Sequence, residues 1–291
     1  MTSTKEYTTD FVTSKDGTKI GYRQLGKGAG LILVHGGMMA SQNFMSLAEI
    51  LANEFTVYVL DRRGRGLSGS NADKKGLSSE SEDIQAVINK TKAQNIFGLS
   101  SGAIVVLQTA IIEPALKKVA LYEPSIPVNG RNLLAWVDKY KVGISEGNFG
   151  KAFINIIKGT DDPSSLLNIL PSFITIPLMN FAIEADSKEV KADDEMSLKA
   201  LISAMPYDIK IVIDSEGIIA ACKNLTADVL LLGGQKSRSY LKIALDAISS
   251  VLPQAKRIEF HGLGHTAADN SGKPDVVSKE LRDFFRVTNN K

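Results

Sequence analysis

The chain has 291 residues, of which 44% are apolar and 23% are charged, so it can form one large core and does not have the composition of a disordered protein. Its 34 basic and 32 acidic residues give a formal net charge of +2, which provides no electrostatic reason to expect a nucleic-acid or membrane partner. The single cysteine, Cys222, cannot form an internal disulfide, and the polar N-terminal stretch does not resemble a signal peptide. We therefore expect a cytoplasmic protein.

Strands and helices alternate along the first part of the sequence. The segment DFVTSKDGTKIGYRQLG predicts a hairpin around Asp16-Gly17, and the apolar GLILVHGG predicts a strand that is buried on both faces. The next predicted elements are a helix in SQNFMSLAEILANEF, a strand in TVYVLD, a helix in SSESEDIQAVINKTKA, a strand in NIFGLS, a helix to about Ile112 and a strand in KVALYEP. This alternation indicates a parallel sheet with helices on both faces.

The alternation stops between about Ile126 and Asp208, where helical segments occur without a convincing strand. These segments are RNLLAWVDKYKVGI, FGKAFINIIKG and SLLNILPSFITIPLMNFAIEA. The pattern then resumes with a helix in IDSEGIIAACKNL, a strand in ADVLLLGG, a helix near 241–252, a strand in AKRIEFHG and a final helix in PDVVSKELRDFFRV. We predict an α/β fold with a mostly parallel central sheet of about eight strands flanked by helices. The core domain would comprise residues 1–125 and 208–291, and a helical lid, residues 126–207, would follow the sixth strand.

The segment NIFGLSSGAIVVLQTA contains two glycines that bracket two serines between a predicted strand and a predicted helix. Such a tight turn leaves little room around its middle residue, Ser100, which must adopt a strained backbone and expose its hydroxyl. The amide of Ser101 then lies at the helix N-terminus, where it can stabilise a developing oxyanion. A Gly-Ser cluster can also be an ordinary loop, but its place between a strand and a helix favours a nucleophile elbow.

A serine hydroxyl needs a base to act as a nucleophile near neutral pH. The sequence has three histidines, His35, His261 and His265. His265 lies in the loop after the last predicted strand, so it should emerge at the same edge of the sheet as Ser100. His261 lies at or near the end of that strand, which favours a structural role.

Four motifs, each at the end of a predicted strand, make the chain resemble an α/β-hydrolase over nearly its whole length. They are HGG after the third strand, DRRGRGLS after the fourth, GLSSG after the fifth and GLGH after the last. The resemblance is to the branch of serine esterases and non-haem haloperoxidases. It implies that Gly37, which follows the His-Gly pair, supplies the second oxyanion N–H group. It also implies that DRRGRGLS is a structural turn rather than the source of a catalytic Asp61.

The sequence departs from the family at the acid of the triad. An Asp normally follows the strand predicted in ADVLLLGG, but this chain has GGQKSRSY there, with Ser237 near the expected position, and Asp246 lies too far into the next helix. Some lipases of the superfamily place the acid where Glu123 stands, and neighbouring strand ends are about 5 Å apart, a distance that a glutamate can bridge. Glu123 could also fix the base of the lid, or the acid could be absent, with part of the rate retained.

The resemblance implies a serine hydrolase that cleaves a small or medium, fairly apolar carboxylic ester, thioester or lactone. His265, oriented by Glu123, would remove the proton of Ser100 as it attacks the carbonyl. The amides of Gly37 and Ser101 would hold the oxyanion, and water would release the acyl enzyme. No metal or organic cofactor is expected.

The lid is expected to supply most substrate contacts, together with Met38 and Met39 near the oxyanion loop. Most of its apolar side chains should face the core, and the remainder indicate an acyl or aromatic substrate of modest polarity. The apolar lid residues are Leu133, Leu134, Trp136, Phe153, Ile156, Ile157, Phe173, Ile174, Leu178, Met179 and Phe181.

Two alternatives use the same scaffold. One is cofactor-free chemistry on something other than an ester, such as perhydrolysis or C–C or C–N bond cleavage, for which Ser100 and His265 would serve equally well. The other is a non-catalytic ligand receptor or signalling protein. In each case we expect a small-molecule partner rather than nucleic acid or a membrane, and homodimer formation is left open.

Overall fold

The structure is a computed structural model that describes residues 7–70, 76–160 and 166–286. Its strands are β1 (Thr8–Thr13), β2 (Lys19–Leu25), β3 (Ala29–Val34), β4 (Phe55–Leu60), β5 (Asn95–Leu99), β6 (Lys118–Tyr122), β7 (Asp228–Gly234) and β8 (Lys256–Phe260). They form one sheet in the order β1-β2-β4-β3-β5-β6-β7-β8. The pairs β1-β2 and β2-β4 are antiparallel and the other neighbouring pairs are parallel, which confirms the predicted architecture.

Helices cover both faces of the sheet and form an insertion between β6 and β7. The helices before β6 are α1 (Met45–Leu51), α2 (Leu77–Thr91) and α3 (Ser101–Ile112). Those between β6 and β7 are α4 (Val137–Ser145), α5 (Phe149–Thr160), α6 (Leu166–Ile169), α7 (Ser172–Lys188), α8 (Leu198–Ser203), α9 (Met205–Asp214) and α10 (Ile218–Ala221). The last two are α11 (Ser239–Val251) and α12 (Pro274–Phe285). The helical insertion predicted after the sixth strand is thus confirmed.

The central strands are buried on both faces, as their continuous apolar sequences predict. In β3, Ile32 and Val34 belong to one core cluster, whereas Leu31 and Leu33 belong to the cluster on the opposite face. Successive side chains of a strand point to opposite faces, so an uninterrupted apolar run is needed where helices cover both sides. This packing holds the carboxyl ends of the parallel strands at one rigid edge of the sheet.

Three of the predicted helices have different bounds in the structure. The segment from residue 131 becomes helical only at Val137. The long apolar segment is divided between α6 and α7 at Pro171, because proline lacks an N–H donor and disfavours a helical conformation in the residue before it. The predicted helix in IDSEGIIAACKNL is reduced to α10 and a 3₁₀ turn, Cys222–Asn224, and α9 precedes it.

The helical insertion has its own apolar core, which includes Trp136, Phe153 and Ile202. Polar contacts anchor it to the sheet domain. The buried Arg23 Nε donates to Asp194 Oδ2 over 2.8 Å, and the Gln42 side chain exchanges two hydrogen bonds with the backbone of Met196. The insertion is therefore packed against the edge of the sheet at which the predicted site residues emerge.

The eleven apolar lid residues divide into two groups. Six pack in the interior of the insertion or against it, and Leu133 packs against the core of the sheet domain, as expected for most of them. Four residues of α7 are exposed: Phe173, Ile174, Leu178 and Phe181. Within the described ranges, no helix combines the length and the apolar character that crossing a membrane requires.

Candidate active site

The tight turn predicted at Ser100 is present between β5 and α3. Ser100 has φ 56° and ψ −121°, a conformation that non-glycine residues rarely adopt. A Cβ at Gly98 would lie 2.7 Å from the Cα of Ala103, and a Cβ at Gly102 would lie 2.2 Å from the carbonyl oxygen of His35. The two glycines are therefore required by close packing, which allows the strained serine to remain at the edge of the sheet.

His265 and Glu123 come together although 142 positions separate them. His265 Nδ1 lies 2.7 Å from Glu123 Oε2, and both side chains are buried. Glu123 directly follows β6 with φ 46°, a positive value that turns its side chain out of the strand direction. The hydroxyl of Tyr122 donates to the carbonyl of Gly264 over 2.8 Å and so fixes the loop that carries His265.

The residue at the end of β7 binds the Glu123 carboxylate through its backbone amide and does not itself supply the acid. The N–H group of Gly234 donates to Glu123 Oε1 over 2.6 Å. A Cβ at Gly233 would lie only 3.1 Å from the same oxygen, so the adjacent glycine leaves space for the Glu123 carboxylate. Ser237, near the usual position of the acid, is buried and its hydroxyl has no hydrogen-bond partner. Asp246 pairs with Arg257 on the surface.

A cavity of about 330 Å³ connects the predicted site residues. Ser100, Ser101, His265, Gly37, Met38 and Met39 line it. Six of the apolar lid residues also line it: Leu133, Leu134, Trp136, Phe153, Ile156 and Ile157. His261 follows β8 directly and is exposed, outside this lining.

His35 orients the peptide between Gly36 and Gly37. Its Nε2 accepts a hydrogen bond from the Arg62 amide over 3.2 Å, so the proton must be on Nδ1, which donates to the carbonyl of Gly36 over 2.9 Å. Burial, reinforced by Arg65 and Arg62, lowers the pKa of His35 well below its usual value and keeps the ring neutral. Because a trans peptide is planar, the N–H group of Gly37 points to the side opposite the carbonyl that His35 binds.

Asp61 is completely buried, and its carboxylate is hydrogen-bonded to backbone amides. Its carboxylate accepts from the amide of Ser41 over 2.7 Å and from the amide of Leu67 over 3.1 Å. Arg63 in the same turn pairs with Asp83 and Asp16. These contacts connect neighbouring loops, and neither Asp61 nor Arg63 lines the cavity.

Two polar side chains that contact Ser100 and Ser101 were not foreseen from the sequence. Ser125 Oγ lies 3.1 Å from Ser100 Oγ, so a second hydroxyl stands next to the predicted nucleophile. Its position two residues after Glu123 is the only hint that the sequence contains. Asp208, on α9, accepts a hydrogen bond from Ser101 Oγ over 2.7 Å. No local pattern indicates this contact, because it joins residues 107 positions apart.

Asp208 is buried between two arginines at the rear of the site. It accepts from Arg62 Nη1 over 2.7 Å and also pairs with Arg65. Burial alone would raise the pKa of Asp208, but Arg65 and Arg62 outweigh that effect and lower the pKa to about 2. Arg62 also binds Glu80, so two buried cations are balanced by two buried carboxylates.

We expect Asp208→Asn to destabilise the fold. The change leaves Arg62 and Arg65 with one carboxylate, Glu80, and breaking a buried ion pair from one side costs about 3–5 kcal/mol. The folded-state pKa of about 2 is below the ordinary 3.8, so the stabilisation from Asp208 is present above pH 3.8 and is lost as the pH falls toward 2. Urea unfolding should therefore show a lower free energy of unfolding for the variant than for the native protein, and the difference between these two free energies should become smaller below pH 4. A difference that is the same at pH 7 and pH 3 would contradict this assignment.

Within residues 7–70, 76–160 and 166–286, no group of three or more His, Cys, Asp or Glu side chains is arranged so that it could hold a metal ion. The polar groups that converge on the cavity are hydroxyls, amides, carboxylates and one imidazole.

The chain is similar to several proteins that are described as hydrolases. Residues 27–153 match the family model described as serine aminopeptidase, S33. An α/β hydrolase from Sphaerobacter thermophilus has a similar structure, with a TM-score of 0.75 and 24% identity over 95% of this chain and 100% of that chain. The enol-lactonase from Burkholderia xenovorans has a TM-score of 0.68 and 16% identity over 94% of this chain and 99% of that chain.

Three curated relatives differ in how much of their length is matched. The chain is 22% identical to the pimeloyl-[acyl-carrier protein] methyl ester esterase of Stenotrophomonas maltophilia over 89% of this chain and 93% of that protein. It is 36% identical to the N-formylmaleamate deformylase of Pseudomonas putida, but over only 39% of this chain and 43% of that protein. A hydrolase of Bacillus subtilis, YraK, is likewise matched over 42% of its length, at 34% identity.

Proposed function

We propose that this chain, a member of the α/β-hydrolase superfamily, is a serine hydrolase. Its substrate is a small or medium, fairly apolar carboxylic ester, thioester or lactone, which it cleaves through an acyl enzyme on Ser100. The observation that supports this most strongly is the 2.7 Å contact between His265 Nδ1 and Glu123 Oε2, because His265 lines the same cavity as the strained Ser100. An imidazole bound to a carboxylate at Nδ1 has its proton there, and Nε2 is left free to accept the proton of a serine.

Each residue then has a defined role in the reaction. His265 removes the proton of Ser100 during attack on the carbonyl and later gives a proton to the leaving group. Glu123 holds the ring orientation and offsets the charge of the imidazolium that forms. Water, activated by the same histidine, then hydrolyses the acyl enzyme.

The oxyanion of the tetrahedral intermediate is assigned to the amides of Gly37 and Ser101. Ser101 is the first residue of α3, where a helix leaves its N–H groups without intrahelical partners. The bond from His35 to the carbonyl of Gly36 orients the other donor. Hydrogen-bond donors that are already in place before the reaction stabilise the charge without reorganisation.

The cavity wall supports an apolar acyl group. Apolar side chains from two regions contribute to its lining: the two methionines, Met38 and Met39, and side chains of the lid. We assign residues 126–207 as the lid that closes over the acyl group. At about 330 Å³, the cavity is at the small end of the range for ligand sites.

Amide hydrolysis is a second candidate, because the chain is 36% identical over 118 residues to a deformylase. The same serine, histidine and oxyanion donors would attack a formamide, and His265 would have to protonate an amine rather than an alcohol. Ester and amide substrates of equal acyl length therefore separate the two activities.

A panel of p-nitrophenyl esters with acyl chains of increasing length tests the proposal, in parallel with the matching p-nitroanilides. We expect turnover of short and medium esters, and labelling of Ser100 by a fluorophosphonate that mass spectrometry maps to the peptide containing residues 95–110. Purified protein that neither hydrolyses any ester nor reacts with the phosphonate would refute the ester function. Faster cleavage of the anilides would favour the amidase alternative.

A further inference from the structure

The charged groups around the cavity are unevenly distributed. Among the described residues that line it, none is a lysine or an arginine. The charged or titratable side chains in the lining are those of His265, Asp208, Asp269 and Tyr240. A substrate in this cavity would thus meet two carboxyl groups and no cationic side chain apart from the catalytic histidine when it is protonated.

The nearest buried arginines are already engaged. Arg62 binds Glu80 and Asp208, and Arg65 also pairs with Asp208. Both arginines are almost completely buried and neither lines the cavity. Their charge neutralises the two carboxylates, so they cannot form an additional ion pair with a substrate unless one of these contacts breaks.

Asp269 differs from Asp208 because, among the residues that the structure describes, no arginine or lysine pairs with it. Its side chain is 7% exposed, and Oδ1 accepts from the amide and the hydroxyl of Ser271 over 2.8 and 2.6 Å. Burial raises the pKa of Asp269, and the hydrogen bonds from Ser271 and Gly272, together with the nearby His265, only partly oppose this. The side chain follows His265 by four residues and lines the same cavity.

We propose that the cavity discriminates by charge: it accepts acyl groups without a negative charge and rejects those that carry a free carboxylate, with Asp269 as the specificity-determining residue. This inference rests on the proposed ester function. Burying a second carboxylate near Asp269 would desolvate it without a cationic partner, a large penalty in a site shielded from water. N-formylmaleamate, which contains a carboxylate, is accordingly not expected to be a substrate of this chain.

Two esters of equal size test the proposal at pH 8. They are mono-p-nitrophenyl adipate, which has a terminal carboxylate, and its methyl ester, which has none. We expect kcat/KM for the anionic ester to be about 100-fold lower, chiefly through KM. In Asp269→Asn the ratio between the two substrates should shrink by about tenfold. In Asp246→Asn, a matched change at an exposed side chain, the ratio should stay as in the native protein.

The outcomes separate this inference from the proposed function. Equal kcat/KM for the two esters within about threefold, or a ratio that Asp269→Asn leaves unchanged, would overturn the charge discrimination. If neither ester is hydrolysed, the ester function fails, and calorimetric binding to the Ser100→Ala protein still decides the charge preference. In that experiment dimethyl adipate should bind and monomethyl adipate should not, whereas equal binding of the two would overturn the inference.

Discussion

Ser100→Ala should lower kcat for the best p-nitrophenyl ester by roughly a million-fold, and His265→Ala should do nearly the same. The two residues act as one unit, because the hydroxyl is a weak nucleophile without the base and the base has no function without the hydroxyl. The double variant should therefore be no slower than either single variant. Burst and steady-state kinetics with the native protein and the three variants measure this directly.

His261→Ala is the control for the base. This histidine is exposed and directly follows β8, so its loss should change kcat only slightly. Thermal unfolding midpoints for every variant identify any loss that comes from unfolding. Equal losses for the His261 and His265 variants, with intact folds, would show that the base has been assigned wrongly.

Glu123→Gln should lower kcat by about three to four orders of magnitude. The amide can still accept the hydrogen bond from Gly234, so the local fold can survive. The amide cannot provide the counter-charge for the imidazolium, and its NH₂ group would favour the wrong tautomer of His265. Steady-state kinetics on the same ester, with the unfolding midpoint as a check on the fold, give the measurement.

Two further variants test the assignment of Glu123 as the acid of the triad. Glu123→Asp should recover little activity, because a side chain shorter by one methylene withdraws the carboxylate from its 2.7 Å contact with His265. Asp246→Asn should be nearly silent, since this side chain pairs with Arg257 at the surface. If Glu123→Gln retains most of the native rate, the protein works as a Ser-His dyad or its reaction is not ester hydrolysis.

The parts of the molecule that follow from local patterns were predictable. The apolar run of β3 and the glycines around Ser100 are examples, because each pattern involves only a few neighbouring residues. A buried strand needs an uninterrupted apolar run, and a tight strand-to-helix turn needs glycine wherever a Cβ would meet the backbone. Position in an alternating pattern also predicted that His265 would emerge at the same edge of the sheet as Ser100.

Local patterns were less informative within the lid. An apolar segment indicates a helix, but it does not determine which face the helix turns to the core. In α7, Phe173 and Phe181 are exposed, whereas Ile183 is buried.

The chemistry of the site depends on contacts that join distant parts of the chain. Sequence left open whether Glu123 orients a histidine or braces the lid, and it contained no sign that Asp208 would reach Ser101. The structure brings Glu123 next to His265 and the amide of Gly234, and it buries Asp208 between two arginines. Such contacts form only when rigid elements dock, because a buried charge is stable only where folding supplies its hydrogen bonds and counter-charges. Periodicity and turn chemistry are properties of neighbouring residues and can be inferred from sequence, whereas the pairing of buried polar groups is decided by the tertiary fold.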